Sequence, residues 1–407
     1  MINCTTDRHY PRRHFALWLV ICLIGVELGV NPVPYTGIVA LILANLYLLF
    51  FFIGSAFIVI ERVNITFIKF RRKHFLRELF RQTCTLSFLF SLAAALSGLL
   101  FFYMIGPADF NDDFVQNGQK IFEKEIAVYP YCLLGEFQNW YCESVVLVLF
   151  CAVCGIVSRK LCPESKQRIA LKNILRFRKW TRSFTRLLVD MFPVGIFIFS
   201  VLISYQLRYY FSDFNLPWKY LLILVFANIF LVFFVTFFLR LRHKISPLLL
   251  FLQILPAALS TLFTKNSLLN MPLTLYFMEK QAKNREVPRF VIPLCSFINM
   301  NSGVIFTVVT LLIILQNHGY AVNILILSGV VFFAMATAVL SAGNSMGIFF
   351  LNLCLLLYFG APVNTLCSLF PAFLFLMGLG AWVNVWSDSC ICAALEKKYR
   401  QNHRSGE

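Results

Sequence analysis

The chain has 407 residues, of which 59% are hydrophobic (45 of them Phe) and only 14% charged, with a formal net charge of +17. Soluble domains carry about 25% charged residues and roughly 45–50% apolar ones even with Gly counted, so this composition, with a mean hydropathy of +0.75, excludes an ordinary soluble globule and fits a chain solvated by lipid. The positive charge lies in blocks between apolar runs, as in cytoplasmic loops, so no nucleic-acid partner is expected.

A membrane-crossing helix needs roughly 20 apolar residues. In chain order the candidates are 14–30, 37–60, 82–105, a broken run at 126–158, a long one at 170–208, then 217–239, 290–316 and 363–395. The first is not expected to be a cleaved signal, since Phe15 to Val30 has no small-residue cleavage site and another span follows at once. Two further apolar stretches, 246–281 and 321–359, are interrupted midway by polar and small residues, which predicts pairs of half-helices that return to the side they entered from. Charge orients this arrangement. With the N-terminus inside, 30 of the 36 basic residues fall on the cytoplasmic side, ten of them in the 159–186 loop; Lys120, Lys124, Arg208 and Lys219 fall outside, and Arg62 and Lys265 lie near or within the membrane. The fold class expected is an all-α polytopic membrane protein of eight transmembrane helices plus two re-entrant helical hairpins, both termini cytoplasmic. Among the 13 Cys, Cys22, Cys84, Cys151, Cys154, Cys354, Cys390 and Cys392 sit in apolar stretches and read as small hydrophobes. No His–Glu cluster or Ser–His pair stands inside the spans, so neither an enzyme nor a cofactor is expected, and no catalytic residue is assigned.

Four polar breaks fall in four consecutive membrane segments. They are Ser260 to Ser267, the run Asn299-Met300-Asn301-Ser302-Gly303, Ser341 to Gly347, and Asn384 with Asp388 one helical turn apart on one face. Irregular backbone at membrane depth is tolerated only where it is buried in protein or lines a wet cavity. An intramembrane carboxylate such as Asp388 is a functional hypothesis by default. Four breaks predict one shared site, in which discontinuous helices offer carbonyls to a cation and N–H groups to an anion. Backbone carbonyls, Asn oxygens and a carboxylate are hard ligands that suit Na⁺.

From Ile245 to Lys398 the motifs resemble, in order and spacing, those of the dicarboxylate/amino-acid:cation symporter family, which includes glutamate transporters. Ser246-Pro247 opens the first hairpin. Thr264-Lys265-Asn266-Ser267 with Met271-Pro272-Leu273-Thr274 resembles its serine-rich tip and L-P-x-T. Phe290-Val291-Ile292-Pro293-Leu294 and Ile298-Asn299-Met300-Asn301-Ser302 resemble F-x-x-P-L and I-N-M-D-G. Ser341 to Gly347 resembles the second glycine-rich tip, and Asn384-Val385-Trp386-Ser387-Asp388 resembles N-V-x-G-D. The resemblance implies an inverted-repeat transport core at 246–407. Residues 1–245 would then supply scaffold and trimerisation helices with part of the transport domain.

It also implies a cation-coupled symporter of a small organic solute (an amino acid or carboxylate), assembled as a homotrimer in a bacterial inner membrane, with Na⁺ or H⁺ as coupling ion. Asn299, Asn384 and Asp388 would hold the cation. Thr264, Lys265, Asn266, Ser267, Asn301, Gly343, Asn344 and Ser345 would contact the solute. Departures from the family pattern qualify this. The last helix carries Met377, Gly380 and Ala381 where the family has an Asp, an Arg and a Thr, and Asn301 and Gly303 replace an Asp and a Thr. Two readings of Lys265 stay open: it replaces the missing Arg for an anionic solute, or it is structural and the solute is neutral. A non-transporting scaffold or sensor with this fold is the alternative from another class.

Overall fold

The computed structural model describes residues 10–32, most of 36–47, 73–106, 115–116, most of 183–211, 218–267, 270–341, 343, 345–358 and 363–404. Among these residues the regular structure is helical, with no strand. Helix α1 is Tyr10–Val30, α2 Lys73–Ile105, α3 Phe192–Phe211 and α4 Trp218–His243; α5 (Pro247–Thr264) and α6 (Met271–Gln281) follow, then α7 (Glu286–Ile298), α8 (Asn301–Asn317), α9 (Ile324–Leu340), α10 (Ser345–Tyr358), α11 (Val363–Ser368) and α12 (Phe370–Arg404). The expected span at 126–158, most of that at 37–60 and the beginning of that at 170–208 lie outside the described residues.

Helix α4 shows what solvates this fold. Tyr220, Leu224, Ala227, Leu231, Val235 and Leu239 recur at helical spacing and are buried, while the opposite face, with Phe226, Ile229, Phe233 and Phe237, is exposed and equally apolar. A helix apolar all round belongs in a membrane or in a large core. Three helical runs among the described residues are long and apolar enough to cross a bilayer: Arg77–Ile105, Trp218–His243 and Glu286–Asn317. The last contains a break. Asn299 (φ −112°, ψ 64°) and Met300 (φ −94°, ψ 58°) leave helical geometry and divide α7 from α8. Helix α2 begins at Lys73, ahead of the expected span. There Arg81 pairs with Glu78 at 2.7 Å, and Glu78 also accepts from Gln82, so the basic residues continue the helix where water can solvate them.

Both interrupted stretches are helix–break–helix pairs. Pro247 starts α5, where a missing N–H costs nothing, and Asn323 caps α9 by accepting from the Ile326 N–H at 2.9 Å. The arms are short: 18 and 11 residues in the first pair, 17 and 14 in the second. Within each pair the arms pack against one another. The two ends of the first stretch meet adjacent residues of α12. The Lys244 carbonyl accepts from Lys397 Nζ at 3.0 Å, and the Lys283 N–H donates to Glu396 at 3.0 Å. The chain therefore leaves this end of α12 and comes back to it.

The main core joins α2, α4, α7, α8 and α12, with α9 and α10 packed on α8. A second group forms where α1 packs along α3. Gly25 and Gly29, one turn apart, permit the approach: a Cβ at Gly25 would lie 1.9 Å from Ser200 Oγ, and one at Gly29 2.5 Å from the Val201 carbonyl oxygen. This is the small-residue packing of membrane helices. The group meets the main core through the first hairpin, at a cluster that includes Tyr47, Phe199, Ala257 and Phe277.

Candidate functional site

The break between α7 and α8 faces α12. Asn299 Nδ2 donates to Asp388 Oδ1 at 2.6 Å and to Ser387 Oγ at 2.8 Å. Ser387 Oγ also accepts from Asn301 Nδ2 at 3.1 Å and donates to the Asn384 carbonyl at 2.9 Å. Asn301 Oδ1 in turn accepts from Ser91 of α2 at 3.0 Å. Asn384 Oδ1 accepts from the Ser302 N–H at 3.1 Å, satisfying one of the backbone donors at the start of α8. The Asn384 amide approaches Met300 Sδ at 3.4 Å, and the Ser267 hydroxyl reaches the same sulfur at 3.8 Å. The tip of the first hairpin, the α7–α8 break and α12 thus converge, joined by α2. Asn299, Asn301, Asn384, Ser387 and Asp388 are all buried.

Two features of this cluster point to a cation. No Lys or Arg among the described residues pairs with Asp388, and Asn299 Oδ1 has no hydrogen-bond partner. A buried carboxylate without a compensating charge costs several kcal/mol, and an orphaned buried acceptor about 1–3 kcal/mol. A monovalent cation between the carboxylate and a turned Asn299 amide would relieve both, with Ser387 and backbone oxygens completing a hard donor set. The residues present therefore fit such an ion. Ser387 and Ser91 escaped sequence reasoning. Serines recur along α2 without distinction, and Ser387 showed only as a departure from a glycine.

The hairpin tips are held differently. Thr264 donates to the Ser260 carbonyl at 3.0 Å and accepts from Asn270, whose amide also reaches the Asn266 carbonyl at 2.9 Å. Lys265 is half-buried, takes a left-handed conformation (φ 56°), and its N–H donates to the Thr261 carbonyl at 3.0 Å. Gly343 turns the second tip with φ +85°, and Ser345 opens α10; Asn344 lies outside the described residues.

Beside the cluster is a small cavity of about 30 Å³. Its polar lining is Asn228, Ser302, Ser345 and Asn384; Met377 and Gly380 face it too, and the described residues 264–267 do not. Two glycines shape it. A Cβ at Gly380 would sit 2.6 Å from Ser302 Oγ, and one at Gly303 would sit 2.0 Å from Ile348 Cδ1. Ile348 thus occupies the room a side chain at 303 would need. Asn228 was legible in principle, as an isolated amide within an otherwise apolar span.

The model of the sodium:dicarboxylate symporter family matches residues 15–398. A Caenorhabditis elegans protein named "Putative sodium-dependent excitatory amino acid transporter glt-4" is 32% identical over 146 residues, which is 35% of this chain and 28% of that protein. The matched part is less than a third of the relative's length. That relative is an animal protein, so the bacterial placement expected from the sequence draws no support from it.

Proposed function

The chain belongs to the sodium:dicarboxylate symporter family, and on that premise we propose that it is a secondary transporter in which a cation gradient, with Na⁺ as the coupling ion, drives symport of a small organic solute without covalent chemistry. The observation that carries this reading is the uncompensated Asp388 carboxylate beside the orphaned Asn299 oxygen. Asn384 and Met300 border both that cluster and the cavity. Ion occupancy and solute occupancy would therefore act on the same side chains, which is what coupling requires. The hairpins are proposed to be re-entrant: arms of 11 to 18 residues fall short of the roughly 20 that cross a bilayer, and Lys244 and Lys283 return to one end of α12. With both termini cytoplasmic, that end lies on the cytoplasmic face. The second group, α1 with α3, is proposed as part of a scaffold that assembles as a homotrimer.

Uptake of radiolabelled amino acids and dicarboxylates into proteoliposomes under an inward Na⁺ gradient tests the proposal. Uptake at full rate without Na⁺, under a proton gradient alone, would replace Na⁺ by H⁺. A non-transporting scaffold or sensor is the second reading, favoured by the substituted positions Met377, Gly380 and Ala381. Thermal stability indifferent to every solute and ion tried, together with no uptake, would favour it.

A further inference from the structure

Helix α4 turns a continuous stripe of aromatic rings away from the core. Phe226, Phe230, Phe233 and Phe237 are exposed and recur at intervals of three and four residues, so they lie on one face. Phe233 and Phe237 stack with centroids 6.2 Å apart, and Phe101 of α2 stacks on Phe226 at 6.0 Å. The same face ends in charge. Arg240 takes its next position, and Lys244 follows in the turn before α5, with a left-handed backbone (φ 48°). Lys397 of α12 crosses to this turn, its Nζ donating to the Lys244 carbonyl at 3.0 Å. An ammonium carries three donors, so Lys397 keeps others for an anion. Among the described residues, no Asp or Glu pairs with Arg240, Lys244 or Lys397. The neighbouring acids are engaged elsewhere: Glu396 accepts from the Lys283 N–H at 3.0 Å, and Glu78 pairs with Arg81. Along the helix axis Phe230 and Arg240 stand about 15 Å apart, half of a hydrocarbon core of about 30 Å. The stripe beside the cations therefore has the length of the acyl chains of one leaflet.

We infer that this face of α4 holds an anionic phospholipid of the cytoplasmic leaflet, its phosphate on Arg240, Lys244 and Lys397 and an acyl chain along the Phe stripe. The planar guanidinium of Arg240 suits two phosphate oxygens, and the ammonium groups add point charge. A zwitterionic lipid brings its own cation to the same place and binds less well. Lys244 stands where the first hairpin begins, and Lys397 belongs to α12, so a bound headgroup ties the base of that hairpin to the last helix. The site is independent of which solute or ion is carried. Its choice of leaflet rests on the cytoplasmic placing of this end of α12.

Native mass spectrometry of the purified full chain, titrated with phosphatidylglycerol or phosphatidylcholine of the same acyl chains, tests the inference. One phosphatidylglycerol per chain should survive conditions that strip phosphatidylcholine. Arg240→Gln and Lys244→Gln should each weaken its retention about five-fold, the effect of one cation near a membrane surface. Arg285→Gln, at an exposed cation before α7, should leave it unchanged. A phosphatidylglycerol with a photoreactive acyl chain should label the 226–237 segment of the unaltered chain, a readout that needs no variant to fold. Glycerol 3-phosphate, which has the phosphate without the chains, should not displace the lipid. Equal retention of the two lipids, unaltered retention in Arg240→Gln/Lys244→Gln, label confined to other helices, or displacement by glycerol 3-phosphate (a site for free phosphate) would each overturn it. Selective retention with Lys244→Cys labelled from the outer side would overturn the leaflet and the topology, and not the lipid site.

Discussion

At the scale of single residues the structure turns on one carboxylate and one glycine. Asp388 is 1% exposed and bonded by a neutral group, the Asn299 amide. Asp388→Asn removes the charge a cation would balance while keeping the shape. It is expected to abolish any difference in Tm between NaCl and choline chloride, and not to lower Tm in choline, because neutralising an unpaired buried ion is neutral or stabilising. A Na⁺-dependent shift that survives the substitution would remove Asp388 from the cation site. Gly303 tests packing instead. Restoring the family's Thr by Gly303→Thr drives a side chain into Ile348 and should destabilise by about 1–3 kcal/mol, read as a lower Tm. Adding Ile348→Ala in the same chain should recover part of that loss, since the two side chains compete for one space.

At the scale of elements, the hairpins are held by bonds the sequence pattern does not announce. Glu279 at the end of α6 takes Arg289 of α7 in two hydrogen bonds, Nε to Oε1 at 3.0 Å and Nη2 to Oε2 at 3.4 Å, with both side chains largely buried. Glu279→Gln leaves the guanidinium without its countercharge and should cost about 3–5 kcal/mol. Replacing both partners with Met is expected to cost far less, and chemical unfolding of the two variants checks the contrast. The break between α7 and α8 was legible as Asn299-Met300-Asn301-Ser302-Gly303. The small residues and amides there signal where an apolar helix stops, but not which carbonyls and N–H groups find partners. The αL turn at Lys265 and the Asn270 clasp beneath it were not legible, because an Asn in a polar run looks like any other until its neighbours in space are known.

At the scale of the whole molecule, the claim most open to measurement is the doubling-back of 246–281. Lys244→Cys and Lys283→Cys, introduced singly on a background without reactive cysteines, should react with a membrane-impermeant thiol reagent from the same, cytoplasmic side. Labelling from opposite sides would show that this stretch crosses the bilayer and would invert every loop after it. Composition and the placing of basic blocks were enough to indicate a helical membrane protein, and the order of the motifs after Ile245 resembles the symporter family to which the chain belongs. Composition and charge suffice because lipid imposes apolar length and charge asymmetry residue by residue, and these properties are local. Tertiary structure decided the rest. It put Ser91 and Ser387 into the Asn299–Asp388 cluster, set Ile348 in the place of a missing side chain, and placed Asn228 in the wall of an apolar cavity. Those relations join residues 45 to over 200 positions apart, and which buried polar atom finds a partner is fixed only when the helices pack.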